Sequence, residues 1–260
     1  MGAVDFAAFV DKLADVAGEA ILPFFRTALA VENKKLKGSF DPVTAADRAA
    51  ETAMRALIRE HFPAHGVVGE EFDDIKSDAP YTWMLDPIDG TKSFIAGMPV
   101  WGTLIGLCKD DVPVYGMMAQ PFVGERFTGD RASAKYRGPA GERKLIARKC
   151  ASLDEALLFT TSPHLFTAEE KACYDRVEKR VRLPRFGGDC YAYCMIAAGY
   201  VDLVVEAGLD AYDIVPLIPI IEGAGGIVTN WQGESAVKGG RIVAAGDKRV
   251  HAAAIELLNK

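Results

Sequence analysis

No stretch of the sequence reaches membrane-spanning length without a charge, so a transmembrane helix is not expected. The opening MGAVDFAAFVDKLADV lacks the basic start and continuous apolar run of a secretory leader, because acids and Lys12 interrupt it. Lys and Arg form no long run and the formal net charge is -6, which argues against a dedicated nucleic-acid or anionic-membrane surface. Cysteine is sparse: residues 108, 150, 173, 190 and 194 are odd in number and lack the paired short spacings of a zinc site, a pattern that suits a reducing cytoplasm. Cys190 and Cys194 stand at i, i+4, but two thiols do not complete a tetrahedral site, so all five are read as packing residues. Internal repeats, low-complexity tracts and linker-like stretches are also lacking.

What is present is apolar surface. Half of the 260 residues are hydrophobic, enough for a sizeable core in one large domain or two closely packed halves. The expected partner is a small ligand. An acidic chain can still take a phosphate if metal ions supply the positive charge locally.

Apolar residues from Phe6 to Phe24 recur at helical spacing, predicting a helix over 5–29 that Pro23 disturbs. A second helix is predicted over 44–61, opened by the capping-box pattern Thr44-x-x-Asp47 and closed by Pro63. The runs VVGEE, YTWMLD, VWGTLIGLC, VPVYGMMAQ and ERFTG then predict one mainly antiparallel sheet. Beyond about residue 140 strands and helices alternate: LLFTT, a helix near 167–180, VRLPRF, a helix near 189–199, VDLVVEA, a helix from 211, then GIVTN, RIVAAG and HAAAIELLNK. The expected organisation is an α+β part over 1–140 and an α/β part over 141–260, with the ligand at the seam.

The strongest chemical signal is LDPIDGTKSF at 85–94. Asp86 ends a strand, Pro87 fixes a turn, and Asp89 returns a second carboxylate to the same side, a pair of hard oxygen donors suited to Mg²⁺. Gly90 and Thr91 follow with backbone amides that can face a phosphate beside Asp89. The same residues are good turn formers for reasons unrelated to chemistry. GVVGEE at 66–71 adds a strand ending in two acids, of which alternation lets only one join the pair, either Glu70 or Glu71. Asp213 stands at the front of an apolar helical segment, where an acid also complements the helix dipole.

Together the three segments resemble the inositol monophosphatase family, whose motifs are a Gly-Glu-Glu strand end, Asp-Pro-x-Asp-Gly-Thr, and Trp-Asp-x-Ala followed by Gly-Gly. The resemblance runs from Lys37 to Gly226, with Tyr212, Val215 and Pro216 departing from the third motif. It implies a layered αβαβα sandwich and a phosphomonoesterase with two to three Mg²⁺ ions. The implied ligands are Glu70, which settles the Glu70/Glu71 choice, with Asp86, Asp89, Asp213 and the Ile88 carbonyl. The expected reaction is in-line attack on phosphorus by metal-activated water. Glu70 and Thr91 would orient that water, Gly90 and Thr91 would hold phosphoryl oxygens, and Asp47 would polarise the Thr91 hydroxyl. Lys37 lies in a loop that approaches the site in the family. A homodimer is likewise implied.

Within the family, 185–213 and 89–107 are similar to the histidinol-phosphate phosphatase branch, which implies a place in histidine biosynthesis. Asp189 at a helix start and Glu206 after a strand would present carboxylates, with Asp213, to a leaving group that carries an ammonium and an imidazole. Arg185 would reach substrate or phosphate near the seam, in its own chain or across a dimer. The alternatives are an inositol- or sugar-phosphate phosphatase, a nucleotide 3′,5′-bisphosphate phosphatase, and a silent metal- or phosphate-binding module.

Overall fold

The computed structural model describes residues 6–27, 31–33 and 42–260. Helix α1 (Phe6–Ile21) buries Phe9, Val10, Leu13, Ala17 and Ile21 along one stripe. It stops short of the predicted end at 29, since the ring of Pro23 would strike the preceding turn. Strands β1 (Val31–Asn33) and β2 (Pro42–Thr44) form a small antiparallel ladder. Helix α2 (Ala45–His61) opens with the expected capping box, and Thr44 and Asp47 each satisfy the other's end of it.

A seven-stranded sheet follows in chain order: β3 (Gly66–Gly69), β4 (Tyr81–Asp89), β5 (Gly102–Lys109), β6 (Val112–Gln120), β7 (Glu125–Gly129), β8 (Ala134–Gly138) and β9 (Gly141–Lys144). Its neighbours pair antiparallel except β3 and β4, which run parallel. The short helix α3 (Thr91–Ile95) lies between β4 and β5. Strands β8 and β9 were not predicted. The GERK of β9 is exposed throughout, and β8 carries Lys135 and Arg137 on its open face, so neither shows an apolar run.

The second sheet is built from β10 (Leu157–Thr160), β11 (Leu183–Phe186), β12 (Leu203–Leu209), β13 (Ile227–Asn230) and β14 (Gly240–Ala245), in the order β11-β10-β12-β14-β13. Between them come α4 (Ala168–Glu178), α5 (Asp189–Ala197), α6 (Ala211–Ile214) and α7 (Ile218–Gly223), and α8 (Lys248–Leu258) closes the chain. The single helix expected from 211 is thus two short ones. Pro216 can donate no amide to a continuous helix, and Pro219 restarts it near the N-terminus of α7.

Strand alternation sorts the core into layers. Trp83, Leu85, Ile105, Leu107 and Met117 face α1 and α2, while Leu104, Met118 and Phe127 face the other way, onto α5 and α7. Val204, Ile242 and Ala244 cover those two helices from the second sheet, and its reverse face, Leu203, Val205 and Val243, packs on α4 and α8. The result is the expected layered αβαβα sandwich. The five cysteines are free, and Cys190 and Cys194 are packed in the central layer. Among the described residues no helix is long and apolar enough to cross a membrane.

The α6–α7 segment lies directly on the first sheet, and glycine permits this. A Cβ at Gly116 would stand 1.8 Å from the Pro216 carbonyl oxygen, and one at Gly129 would stand 2.3 Å from that of Pro219. Gly116→Val is therefore expected to destabilise the fold by about 3 kcal/mol, read from the denaturant midpoint. An unchanged midpoint would show that the two layers part without cost.

Candidate metal and phosphate site

Three of the carboxylates come from two elements. β4 delivers Asp86 and Asp89, with a register shift between them that marks the Pro87 turn, and α6 delivers Asp213. One ligand oxygen from each lies within 4.8 Å of the others. Each carboxylate is aimed by a backbone amide. Ile88 N donates to Asp86 Oδ1 (3.0 Å), Cys190 N to Asp89 Oδ2 (2.6 Å), and Asp210 N to Asp213 Oδ2 (2.7 Å). Turn former and helix-start acid are thus real roles of Asp86 and Asp213, and they occupy one oxygen of each while the carboxylates converge.

β3 ends at Gly69, and Glu70 follows with its amide on the Leu85 carbonyl (3.3 Å). The Glu70 carboxyl reaches Asp86 and raises its pKa. The neighbouring Glu71 instead donates its amide to Glu51 Oε2 (2.8 Å). Ile88 is fully buried and its carbonyl accepts the Thr91 hydroxyl (3.1 Å). Thr91 therefore gives its proton to Ile88 rather than to Asp47, whose Oδ2 takes both the amide (2.8 Å) and the hydroxyl (2.6 Å) of Thr44.

The electrostatics describe a place crowded with negative charge. Burial pushes Asp86 well above the usual carboxylate range, and the carboxylates of Glu70, Asp89 and Asp213 push it further. Asp89 is raised by burial and then by Asp189 and Asp213, against the Cys190 amide, which lowers it. Asp213 is pushed up to about 8, by burial first and then by Glu70, Asp210 and Glu206, although the Asp210 amide lowers it. The charges acting most strongly on Asp86 are all negative. A hard divalent cation would relieve that repulsion, and the donor set is all oxygen, so the residues fit such an ion.

The cluster opens into a cavity of about 170 Å³ between the two sheets, whose walls include Asp89, Thr161, Leu165, Asp189, Glu206 and Asp213. A metal-sized group of acids therefore adjoins a space of small-molecule size, spanned by motifs from both halves. A model described as the inositol monophosphatase family matches residues 4–260. The chain belongs to the inositol monophosphatase family. Members are phosphatases that act on small phosphorylated substrates with metal ions. The chloroplastic bifunctional phosphatase IMPL2 of Arabidopsis thaliana is 44% identical, over 97% of this chain and 75% of its own length. A histidinol-phosphatase of Chlorobaculum parvum is 34% identical, over 90% of this chain and 89% of its own. A solved inositol monophosphatase from Zymomonas mobilis superposes with a TM-score of 0.87 at 40% identity, covering 99% of this chain and 100% of that one.

The remaining sequence candidates of this family member divide. Asp189 opens α5 at φ 42°, a left-handed conformation that Asp tolerates better than most residues, and its Oδ2 accepts the Ser93 hydroxyl (2.5 Å). A Cβ at Gly90, itself at φ 84°, would lie 2.9 Å from that same Oδ2. The start of α5 is thus fastened twice, to α3 by Ser93 with Asp189 and to the end of β4 by Cys190 with Asp89. Glu206 is buried and held by Thr161 N (2.7 Å), Thr161 Oγ1 (2.6 Å) and Tyr193 Oη (2.8 Å). Arg185 is exposed on β11, the edge strand of its sheet, and does not line the cavity of its own chain. Lys37 lies outside the described residues.

Sequence reasoning passed over Ser93, Thr161, Leu165, Phe166 and the Cys190 amide. The TTS at the end of the β10 strand was a visible signal, since polar residues at a strand end beside a topological switch line ligand crevices. The Cys190 amide carries no side-chain signal at all.

Proposed function

We propose that the chain is a Mg²⁺-dependent histidinol-phosphate phosphatase, releasing histidinol and phosphate. The observation that carries this reading is the cavity wall. Next to the carboxylate cluster it combines two further acids, Asp189 and Glu206, with the apolar Leu165 and Phe166. An ammonium on one side and a flat ring on the other match that wall, whereas an inositol ring offers hydroxyls all round. Relatives named histidinol-phosphatase at 33% and 34% identity support the reading.

Glu70, Asp86, Asp89, Asp213 and the Ile88 carbonyl would hold two to three Mg²⁺ ions, which would neutralise phosphoryl oxygens, acidify a water and stabilise the departing alkoxide. The amides of Gly90 and Thr91, beside Asp89, cradle the phosphoryl oxygens. With its proton committed to Ile88, the Thr91 hydroxyl presents lone pairs, so it orients the attacking water as an acceptor together with Glu70. Asp47 supports this geometry by fixing the start of α2. Asp189 takes the substrate ammonium, and Glu206 holds the Thr161 turn against the leaving group. The division of labour at residue 140 belongs to this proposal: the first part supplies Glu70, Asp86 and Asp89, the second Asp213 and the specificity residues. So do a cytoplasmic location and a homodimer, in which Arg185, set between the exposed Leu183 and Phe186, would meet the second copy. Lys37 keeps its proposed approach to the substrate.

Initial rates on histidinol phosphate, inositol 1-phosphate and adenosine 3′,5′-bisphosphate test the assignment. Histidinol phosphate is expected to give the highest kcat/KM. Asp189→Asn, which keeps an acceptor for Ser93, should lower that value by about 30-fold, the scale of roughly 2 kcal/mol for an unpaired buried charge, with inositol phosphate hydrolysis nearly unchanged. Equal losses on both esters would remove Asp189 as a selector. A second reading, inositol-phosphate hydrolysis, is favoured by the likeness to the Zymomonas mobilis enzyme, and it prevails if inositol 1-phosphate is the best substrate. Absence of turnover on all three would favour a silent binding module.

A further inference from the structure

Glu70 stands just past the end of β3, tied to β4 there by its amide on the Leu85 carbonyl (3.3 Å). A carboxylate in such a place needs another anchor if it is to hold one position against Asp86. That anchor is a buried ion pair on α2. Glu51 is completely buried, and the Arg55 side chain is 12% exposed. Arg55 Nε donates to Glu51 Oε1 (2.7 Å), one helical turn away. Together they grip the three residues after Glu70: Glu51 Oε2 accepts the Glu71 amide (2.8 Å), Arg55 Nη2 donates to the Phe72 carbonyl (3.1 Å), and Arg55 Nη1 donates to the Asp73 carbonyl (3.1 Å). The guanidinium also lies 5.9 Å from the centre of the Phe72 ring.

The fit is close on the strand side as well. A Cβ at Gly69 would stand 2.2 Å from Glu51 Oε1 and 2.9 Å from Arg55 Nη2, so only glycine lets the pair sit flush against the residue that precedes Glu70. A buried ion pair is a weak source of stability, because desolvation offsets most of the attraction, and apolar replacements are often neutral. The planar fork of Arg55, with two nitrogens on two successive carbonyls, is a device for geometry.

We infer that the Glu51–Arg55 pair is a positioning clamp for Glu70: it fixes the 70–73 turn so that Glu70, and not Glu71, faces Asp86. The inference rests on the reading of Glu70 as part of the metal site. It places neither Glu51 nor Arg55 in contact with substrate or metal; both act through the backbone that carries Glu70.

The test uses the full chain and two readouts, Mn²⁺ binding by calorimetry and the Mg²⁺ dependence of turnover, on Arg55→Met, Arg55→Lys and Glu70→Gln. Arg55→Met should weaken Mn²⁺ binding about tenfold, with a matching rise in the Mg²⁺ concentration for half-maximal rate and little change in KM for the ester. Arg55→Lys, which can reach one carbonyl but cannot fork to two, should recover part of the loss. Wild-type metal binding in Arg55→Met beside weakened binding in Glu70→Gln would overturn the clamp. Wild-type binding in both would overturn the assignment of Glu70 itself. If Arg55→Met fails to fold, Gly69→Ala, which pushes on the pair from the strand side, should give the same loss of metal affinity, and wild-type affinity there would count equally against the clamp.

Discussion

Asp86→Asn is expected to abolish turnover at every magnesium concentration, lowering kcat/KM by about a thousandfold or more, the scale on which losing metal-borne charge stabilisation of several kcal/mol appears in a rate. The substitution is close to isosteric. Its side-chain oxygen can still accept the Ile88 amide that Asp86 Oδ1 accepts now, so the Pro87 turn and the direction of Asp89 should survive. What disappears is one negative charge in the most buried member of the cluster. The same charge is a burden without metal, because burial and three neighbouring carboxylates all oppose it. Metal-free Asp86→Asn should therefore unfold at a higher temperature than the metal-free wild type, while losing the stabilisation that Mg²⁺ confers on the wild type. Opposite signs in the two measurements would show a charge kept for the ion and not for the fold. Wild-type turnover in the variant, or a lower melting temperature without metal, would contradict the account.

The second large effect is a pH dependence that metal removes. Asp213 is pushed up to about 8 in the folded chain, from an ordinary value of 3.8. Between those values the folded state holds a proton that the unfolded state has released, so stability falls as pH rises through the window. The contribution is complete below the lower value and gone above the upper one, and one pH unit corresponds to about 1.4 kcal/mol per proton held. Asp86 and Asp89 are raised too and act in the same direction. His65 and His251 work the other way, because burial lowers both from 6.5, but their effect is confined to pH below that ordinary value. In chelator the unfolding free energy measured by urea titration should thus fall between about pH 6.5 and pH 8, by a few kcal/mol in order of magnitude, and the midpoint with it. With excess Mg²⁺ the ion takes the place of the protons, the fall should vanish, and binding should release protons to the buffer. Asp213→Asn should flatten the chelator profile. A midpoint that rises with pH in chelator would show that the carboxylates are ionised at no cost, and the cluster would lose its electrostatic case for a cation.

These effects share one cause, the convergence of acids whose local roles are ordinary. Asp86 closes a turn, Asp213 caps α6, and Asp89 receives an amide from the start of α5, so each has a backbone amide as partner. Such roles recur in most folds. Only the approach of the carboxylates to one another distinguishes this place, together with the absence of a cation among the strongest influences on Asp86.

The sequence by itself determined what depends on near neighbours. Alternation in YTWMLD and VWGTLIGLC set which side chains enter which layer, Thr44 and Asp47 set the start of α2, and the Asp-Pro-Ile-Asp-Gly-Thr run set a turn bearing two carboxylates. These follow from backbone geometry and bonds a few residues long. Strands β8 and β9 escaped because an exposed edge has no apolar pattern to read, and the break between α6 and α7 escaped because two prolines weighed less than an apolar run. Tertiary structure alone decided the rest. The grip of Glu51 and Arg55 on the turn after Glu70 joins residues about twenty positions apart, and the exposure of Arg185 goes with the edge position of β11. The meeting of Asp213 with Asp86 depends on two sheets packing through a helix layer that glycine lets come close. No local period encodes a distance across layers; it is fixed only when the whole core closes.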